Sequence, residues 1–97
     1  MRVIIDGRFV LDEPDLHRRM AGAFGYGPTY TRDLDSLTDR LSSGDPRPLQ
    51  LTWTHAECIR MAVGSATFEE YVTVLQRIDR DDAGQHWSRR FVFHLFE

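Results

Sequence analysis

Three short apolar segments, rich in β-branched and aromatic residues, most constrain what this chain can fold into. They are residues 2–5 (RVII), 49–53 (LQLTW) and 90–96 (RFVFHLF). Two stretches of helical periodicity lie between each segment and the next, and a helical crossover joins parallel strands. With right-handed connections, the chain is predicted to form an α/β fold in the order βααβααβ, with helices packed around a three-stranded parallel sheet.

The first two predicted helices follow the first strand. Residues 12–25 begin with Asp12 as an N-cap and stop at Gly25. Residues 33–42 carry a stripe of leucines at helical spacing, Leu34, Leu37 and Leu41. Between the first strand and these helices, residues 8–10 leave room for a returning strand.

The next two predicted helices follow the second strand. Thr54 precedes Glu57, and Thr67 precedes Glu70, at the spacing of a capping box. The first of these helices ends at Gly64. The second presents five apolar residues on one face, Phe68, Tyr71, Val72, Leu75 and Ile78. Residues 79–84 (DRDDAG) are predicted as a solvated exit, and the last strand as one covered on both faces.

Length and composition limit the classes of protein that this chain can represent. Ninety-seven residues, 41% hydrophobic and 28% charged, suit one soluble domain over residues 1–97 with a single modest core. No apolar run approaches the roughly 20 residues of a membrane span. Twelve arginines are spread along a chain of net charge −3, which is not the footprint of a nucleic-acid binder. We expect a cytoplasmic protein without a leader segment and without membrane contact.

Residues with catalytic or metal-binding chemistry do not form a familiar site. Cys58 is the single cysteine, so neither an intrachain disulfide nor a Cys/His metal box can form. His55 near Cys58 could suggest nucleophilic catalysis, but three positions at a helix start give no thiol–imidazole contact. Glycines 22, 25 and 27 follow a helix and so do not form a phosphate loop. His94 in an apolar strand is expected to be a hydrogen-bonded histidine. We expect neither a metal nor a cofactor.

Two aspartates on the second helix are harder to explain by structure alone. Asp35 and Asp39 lie four positions apart, opposite the leucine stripe, where like charges repel by about 0.2–0.5 kcal/mol. Asp33 can cap the helix, and Asp35 in the first turn interacts favourably with the helix dipole. Asp39 lies beyond the first turn, and position 43 is a serine. A purely solvated face remains the alternative to a binding role.

At this helix the sequence resembles the barstar family, small bacterial inhibitors of secreted ribonucleases and related immunity proteins. The family motif runs Tyr-Gly-x-Asn-Leu-Asp-Ala-Leu-Trp-Asp. Here residues 30–39 read YTRDLDSLTD, and the matching positions are Tyr30, Leu34, Asp35, Leu37 and Asp39. The early segments IIDG and DLH are also similar to the start of the family, and the order of elements agrees along the chain.

The resemblance implies that the protein inhibits a ribonuclease by covering its active site with the second helix and the preceding loop. Asp39 would stand in for substrate phosphate, and the residues around it would complete the contact surface: Tyr30, Thr31, Arg32, Asp33, Asp35, Thr38 and Ser42. The implied partner is a secreted or toxin ribonuclease with a basic active site. The inhibitor itself would be neither an enzyme nor a direct nucleic-acid binder, and would be a monomer when free.

Three departures from the family motif leave the identity of the partner open. Thr31, Asp33 and Thr38 stand where the family has glycine, asparagine and tryptophan. The alternative is a barstar-fold immunity or interaction module that binds a toxin other than a ribonuclease, or another protein. A small enzyme is disfavoured because no nucleophile–base pair is present and a chain of this length has little room for a cleft.

Overall fold

The computed structural model describes residues 1–26, 33–44, 47–86 and 89–97, without the side chains of residues 43 and 44. Within these ranges the strands are β1 (Arg2–Asp6), β2 (Leu49–Thr54) and β3 (Phe91–Leu95). The helices are α1 (Glu13–Phe24), α2 (Leu34–Asp39), α3 (Ala56–Val63) and α4 (Ser65–Asp82). A 3-10 turn (Gly7–Phe9) follows β1, and a π-helical segment (Arg40–Gly44) continues α2.

The sheet has the predicted parallel topology. Its strand order is β1-β2-β3, so β2 is central, and Val3 pairs with Leu51, which pairs with Phe93. The chain therefore runs βααβααβ, and the predicted α/β fold is confirmed.

One face of the sheet carries the core. The inward side chains of all three strands are buried against the helices, and Trp53 at the centre is fully buried and meets Phe93 edge-on at 5.4 Å. The apolar face predicted for α4 is buried along its whole length, as are Leu37 and Leu41 on the second helix. The hydrophobic periodicity thus identified the inward faces of these two helices correctly.

The opposite face of the sheet is more open than we predicted. Ile4 is 59% exposed, and Val92 and His94 are only half-buried. The prediction that the last strand is covered on both faces is therefore wrong. The apolar outward residue of β3, Val92, lines a surface groove of about 420 Å³ instead of a second core.

Three local predictions fail near the strand ends. Residues 8–10 do not form a returning strand, because the chain turns into the 3-10 helix directly after β1. Thr54 does not cap α3, since it is the last residue of β2 and its hydroxyl donates to the Ile5 carbonyl at 3.5 Å. His55 is the N-cap instead, with φ 53° and no side-chain hydrogen bond to the helix. Helix α4 begins at Ser65 after Gly64, so Thr67 lies inside its first turn.

Gly7 explains why the chain is tightly packed at this corner. A Cβ added to Gly7 would lie 2.4 Å from the His55 carbonyl oxygen, so a side chain there requires a backbone shift. The turn after β1 therefore packs directly against the backbone that links β2 to α3.

The end of α4 also differs from its prediction. The helix continues to Asp82, and two of its aspartates bind the outer edge of β3 instead of facing solvent. Asp82 accepts a hydrogen bond from the Phe91 N–H at 2.8 Å, and Asp79 accepts one from the Phe93 N–H at 3.0 Å. The prediction of a solvated exit for residues 79–84 is therefore wrong at these two aspartates. A local pattern of charged residues does not indicate contacts with a distant strand. In the ranges that the structure describes, no helix is both long and apolar enough to cross a membrane.

Candidate functional site

Helix α2 begins at an aspartate whose role is structural. The Asp33 carboxylate accepts a hydrogen bond from the Ser36 N–H at 2.8 Å, and its backbone is extended, as an N-cap requires. The predicted N-cap is thus observed, and the aspartate that replaces the motif asparagine keeps the capping function. Its side chain is exposed, so it can also contact a partner.

The inner face of α2 fixes the helix on the core. Leu37 and Leu41 are fully buried, and Leu34 is partly buried against the same cluster. Thr38 lies at the border of the two faces and donates its hydroxyl to the Leu34 carbonyl at 2.7 Å. The helix is shorter than predicted as an α-helix, because its geometry becomes π-helical from Arg40 onward.

The outer face of α2 carries the negative charge. Asp35 and Asp39 are exposed and lie one helical turn apart, and Ser42 is exposed beyond them. Because the inner face is buried, this outer face points away from the core and is presented on a packed helix. The two carboxylates are therefore accessible to a partner that approaches from solvent.

An aromatic and cationic pair borders the helix. The Arg40 guanidinium lies 4.9 Å from the centroid of the Tyr26 ring, and this ring stacks on Phe24 at 5.3 Å. The contact joins the end of α1 to the end of α2. It places a positive group directly after the last residue of α2.

Arg47 links two helices, and no sequence pattern predicts this role. Its guanidinium donates to the Leu41 carbonyl in the π-helical segment and to the Asp82 carboxylate, with an Nε–Oδ2 distance of 3.1 Å. It thereby connects the end of the second helix to α4. Arg47 lies between two prolines in a segment that reads as a polar turn, and no periodicity marks it.

A buried polar chain connects α1 to α4. The His17 ring nitrogen Nε2 lies 2.5 Å from the Tyr71 hydroxyl, which donates to the Glu13 carboxylate. His17 and Tyr71 are both buried. Hydrogen bonds satisfy these polar groups inside the core, and removal of one partner would leave another unpaired.

Two carboxyl groups outside α2 have perturbed pKa values. Hydrogen bonding from Arg19 is the main cause that lowers the pKa of Asp15 to about 2, with the Leu11 N–H and Arg18 adding to it. The side chain and backbone N–H of Arg8 lower the pKa of Asp6 to about 2 in the same direction. Both carboxylates accept hydrogen bonds from neighbouring residues of the fold, and neither belongs to the acidic face of α2.

The alternative site at the start of α3 does not assemble a catalytic pair. The His55 ring nitrogen Nδ1 lies 3.2 Å from the Asp6 carboxylate and 3.3 Å from the Thr54 hydroxyl, and the structure shows no side-chain hydrogen bond between His55 and the exposed Cys58. His94 is half-buried and stacks on Phe96 at 6.1 Å between ring centroids. No group of three or more potential metal ligands occurs in the described part of the chain.

The structure places five of the eight predicted contact residues, and it brings them together on one helix and its continuation. These are Asp33, Asp35, Thr38, Asp39 and Ser42. The other three, Tyr30, Thr31 and Arg32, lie outside the described residues.

Comparison with known proteins agrees with this architecture. The family model for Barstar, described as a barnase inhibitor, matches residues 1–96. A comparison with curated proteins returned no match. The family model spans nearly the whole chain, and the three-stranded parallel sheet is consistent with it. The chain therefore belongs to the barstar family.

Proposed function

We propose that this protein inhibits a bacterial ribonuclease by covering its active site with α2 and the loop before it. The observation that carries the proposal is the exposed pair Asp35 and Asp39, on a helix whose other face is buried, in a chain of the barstar family. Asp39 would stand in for substrate phosphate. Asp35 and the neighbouring predicted contact residues would form the surrounding surface: Tyr30, Thr31, Arg32, Asp33, Thr38 and Ser42.

The physical basis is charge complementarity. A carboxylate that enters a basic cleft gains charge-assisted hydrogen bonds, which are often bidentate when the partner is arginine. An acidic surface also accelerates encounter with a basic protein. Since the described part of α2 is capped by Asp33 and packed through Leu37, its carboxylates need little reorganisation on binding. Such an inhibitor would act in the cytoplasm of the bacterium that produces the nuclease, and it would itself catalyse no reaction.

The test is inhibition of nuclease activity. The protein is titrated against a panel of small basic bacterial ribonucleases, and residual cleavage of an RNA substrate is measured. We expect stoichiometric loss of activity for at least one member. If no ribonuclease in the panel is inhibited at micromolar inhibitor, the ribonuclease form of the proposal is wrong.

A second candidate is a barstar-fold module for a toxin that is not a ribonuclease, or for another protein. The departure at Thr38 favours it, because a small hydroxyl side chain that donates to the Leu34 carbonyl stands where the family has a large tryptophan. Asp39→Ala separates the possibilities once a partner is known. If tight binding survives this substitution, α2 is not the interface.

A further inference from the structure

The two edges of the sheet are protected to different degrees. On β3, the outward N–H groups of Phe91 and Phe93 are bound by Asp82 and Asp79, so this edge cannot accept another strand without breaking those bonds. On β1, the structure shows no hydrogen bond to the outward backbone groups of Ile4 from any residue that it describes. An unpaired edge of this kind is a template for another strand.

The direction of the β1 backbone follows from its pairing with β2. The Gln50 N–H donates to the Met1 carbonyl at 2.8 Å, and in a parallel ladder the alternate residues Val3 and Ile5 then also face β2. The N–H and C=O groups of Arg2 and Ile4 and the N–H of Asp6 therefore point to the free edge, whereas the Asp6 carbonyl, at the N-cap of the 3-10 turn, accepts the first hydrogen bond of that turn. Their side chains lie on the open face of the sheet, where Ile4 is 59% exposed.

Space for an added strand is present beside this edge. A groove of about 400 Å³ runs between β1 and α1, with Ile4, Phe9, Gly22 and Ala23 among its lining residues. Phe9 is 58% exposed, and a Cβ added to Gly22 would meet no atom within 4 Å. Helix α1 thus leaves the edge of β1 accessible.

The residues on this edge are complementary to themselves in the antiparallel direction. If Ile4 lies opposite Ile4 of a second copy, Arg2 lies opposite Asp6 in both halves of the pair, and the Asp6 carboxylate would bind Arg2 of the other copy in addition to its own Arg8. In that register the two Ile4 residues exchange both backbone hydrogen bonds, and the Asp6 N–H of each copy can donate to the Arg2 carbonyl of the other. Opposite charges and apolar pairs directly across two strands are favourable. A shift by two residues in either direction removes the twofold pairing of charges.

We propose that a second copy of this chain pairs antiparallel with β1, so that two sheets join into one continuous sheet of six strands across a twofold axis at Ile4. This proposal differs from the free monomer expected from the sequence, and the experiments below decide between the two. The interface is small, since strands of five residues are only about 17 Å long. We therefore expect a dissociation constant in the micromolar range or above. Arg18 and Arg19 also line the groove, and Asp15 partly neutralises them.

The dimer would leave the proposed inhibitory surface free. Helix α1 packs on β1, whereas α2 contacts α4, which packs on β3. The acidic face therefore lies towards the side of the sheet away from the twofold axis. Each copy could bind its own target, and self-association can be tested without knowledge of that target.

The first experiment measures mass by sedimentation equilibrium from micromolar to millimolar protein. We expect the wild type to approach the dimer mass, and Ile4→Lys to remain monomeric, because two ammonium groups would meet at the axis. Met61→Lys is the matched control, since Met61 is 80% exposed on α3 and receives the same added charge. Arg2→Asp should raise the dissociation constant at least tenfold. A wild type that stays monomeric throughout, or an Ile4→Lys variant that still dimerises, overturns the proposal.

The second experiment tests the register. In a Cys58→Ser background, Ile4→Cys should form an intermolecular disulfide on mild oxidation, because Cα atoms of a hydrogen-bonded antiparallel pair lie about 5.5 Å apart. Met61→Cys in the same background should remain largely monomeric on a non-reducing gel. Thermal unfolding of each variant confirms that it is folded. Equal cross-linking at both positions contradicts the proposed axis.

Discussion

Aspartates occur in two environments in this protein. Asp15, Asp79 and Asp82 are buried or half-buried, and each accepts hydrogen bonds from a backbone N–H and from arginine. Asp35 and Asp39 are exposed on the outer face of α2. The same side chain therefore holds elements together in one environment and presents charge to solvent in the other.

The difference separates stability from recognition. A carboxylate that pairs with buried N–H groups stabilises the fold, and its removal leaves those donors unsatisfied. A carboxylate on an exposed helical face is screened by water and contributes less to folding, and under the proposed function it is the group that meets the partner. Substitutions in the two groups should therefore affect different measurements.

The largest effect is expected for Asp39→Ala on affinity for the target nuclease. Removal of one member of a charge pair that becomes buried on binding weakens association by about 2–5 kcal/mol. This is a general range, for which barnase–barstar is itself an example. The free energy of unfolding should change by no more than about 0.5 kcal/mol, because Asp39 is exposed. Isothermal titration with the inhibited nuclease and thermal unfolding of the free protein measure the two quantities. A large loss of stability would place Asp39 with the structural aspartates.

The next largest effect is expected for Asp82→Ala on stability. The substitution leaves the Phe91 N–H without its acceptor and Arg47 without its carboxylate, which should lower the free energy of unfolding by about 2–3 kcal/mol. For a domain of this size, the thermal midpoint falls by roughly 4–8 °C per kcal/mol. Asp81→Ala is the control, because Asp81 is its exposed neighbour on α4. Equal midpoints for both variants would contradict a structural role for Asp82.

Asp82→Ala also tests whether the two groups are connected. Arg47 binds both Asp82 and the Leu41 carbonyl next to α2. If this contact positions α2, the variant should also bind the nuclease more weakly than Asp81→Ala does at a temperature where both are folded. Unchanged affinity would mean that α2 is held in place by its leucines alone.

The contrast also shows which features the sequence could predict. The order of strands and helices along the chain and the buried faces of α2 and α4 follow from hydrophobic periodicity, which is local and was sufficient for the α/β fold. The exposed direction of Asp35 and Asp39 followed from the same periodicity. The roles of Asp79, Asp82 and Arg47 depend on contacts between segments far apart in the chain, and a charged stretch gives no sign of them.

Local capping signals were informative only where the backbone left the residue available. Asp12 and Asp33 cap their helices as predicted, because each precedes its helix in an extended conformation. Thr54 has the right spacing to Glu57 but belongs to β2, so the strand determines its position. The exposure of Ile4 could not be predicted, since an apolar strand residue gives no indication of whether its face is covered.

A fourth prediction concerns the acid dependence of stability. The pKa of Asp15 is lowered to about 2 from an ordinary value of 3.8, so its ionised form stabilises the folded state above about pH 4 and this contribution is lost as the pH falls towards 2. Asp15→Asn should therefore be less stable at neutral pH and should lose less stability on acidification. Denaturant unfolding between about pH 2 and pH 7 measures this. An acid slope equal to that of the wild type would contradict the role of Arg19 and Arg18 at this carboxyl.

The smallest effect is expected for Asp35→Ala on stability. The substitution removes a favourable first-turn charge of about 0.3–1 kcal/mol and also a repulsion with Asp39 of about 0.2–0.5 kcal/mol, so the net change should lie within about 0.5 kcal/mol. Its affinity for the nuclease should fall less than that of Asp39→Ala, because only Asp39 is proposed to occupy the phosphate position. Paired titrations of the single variants and the double variant measure the two contributions and their coupling. Equal losses for the two single variants would show that α2 acts through its total charge, and the proposal of one phosphate-mimicking carboxylate would then be wrong.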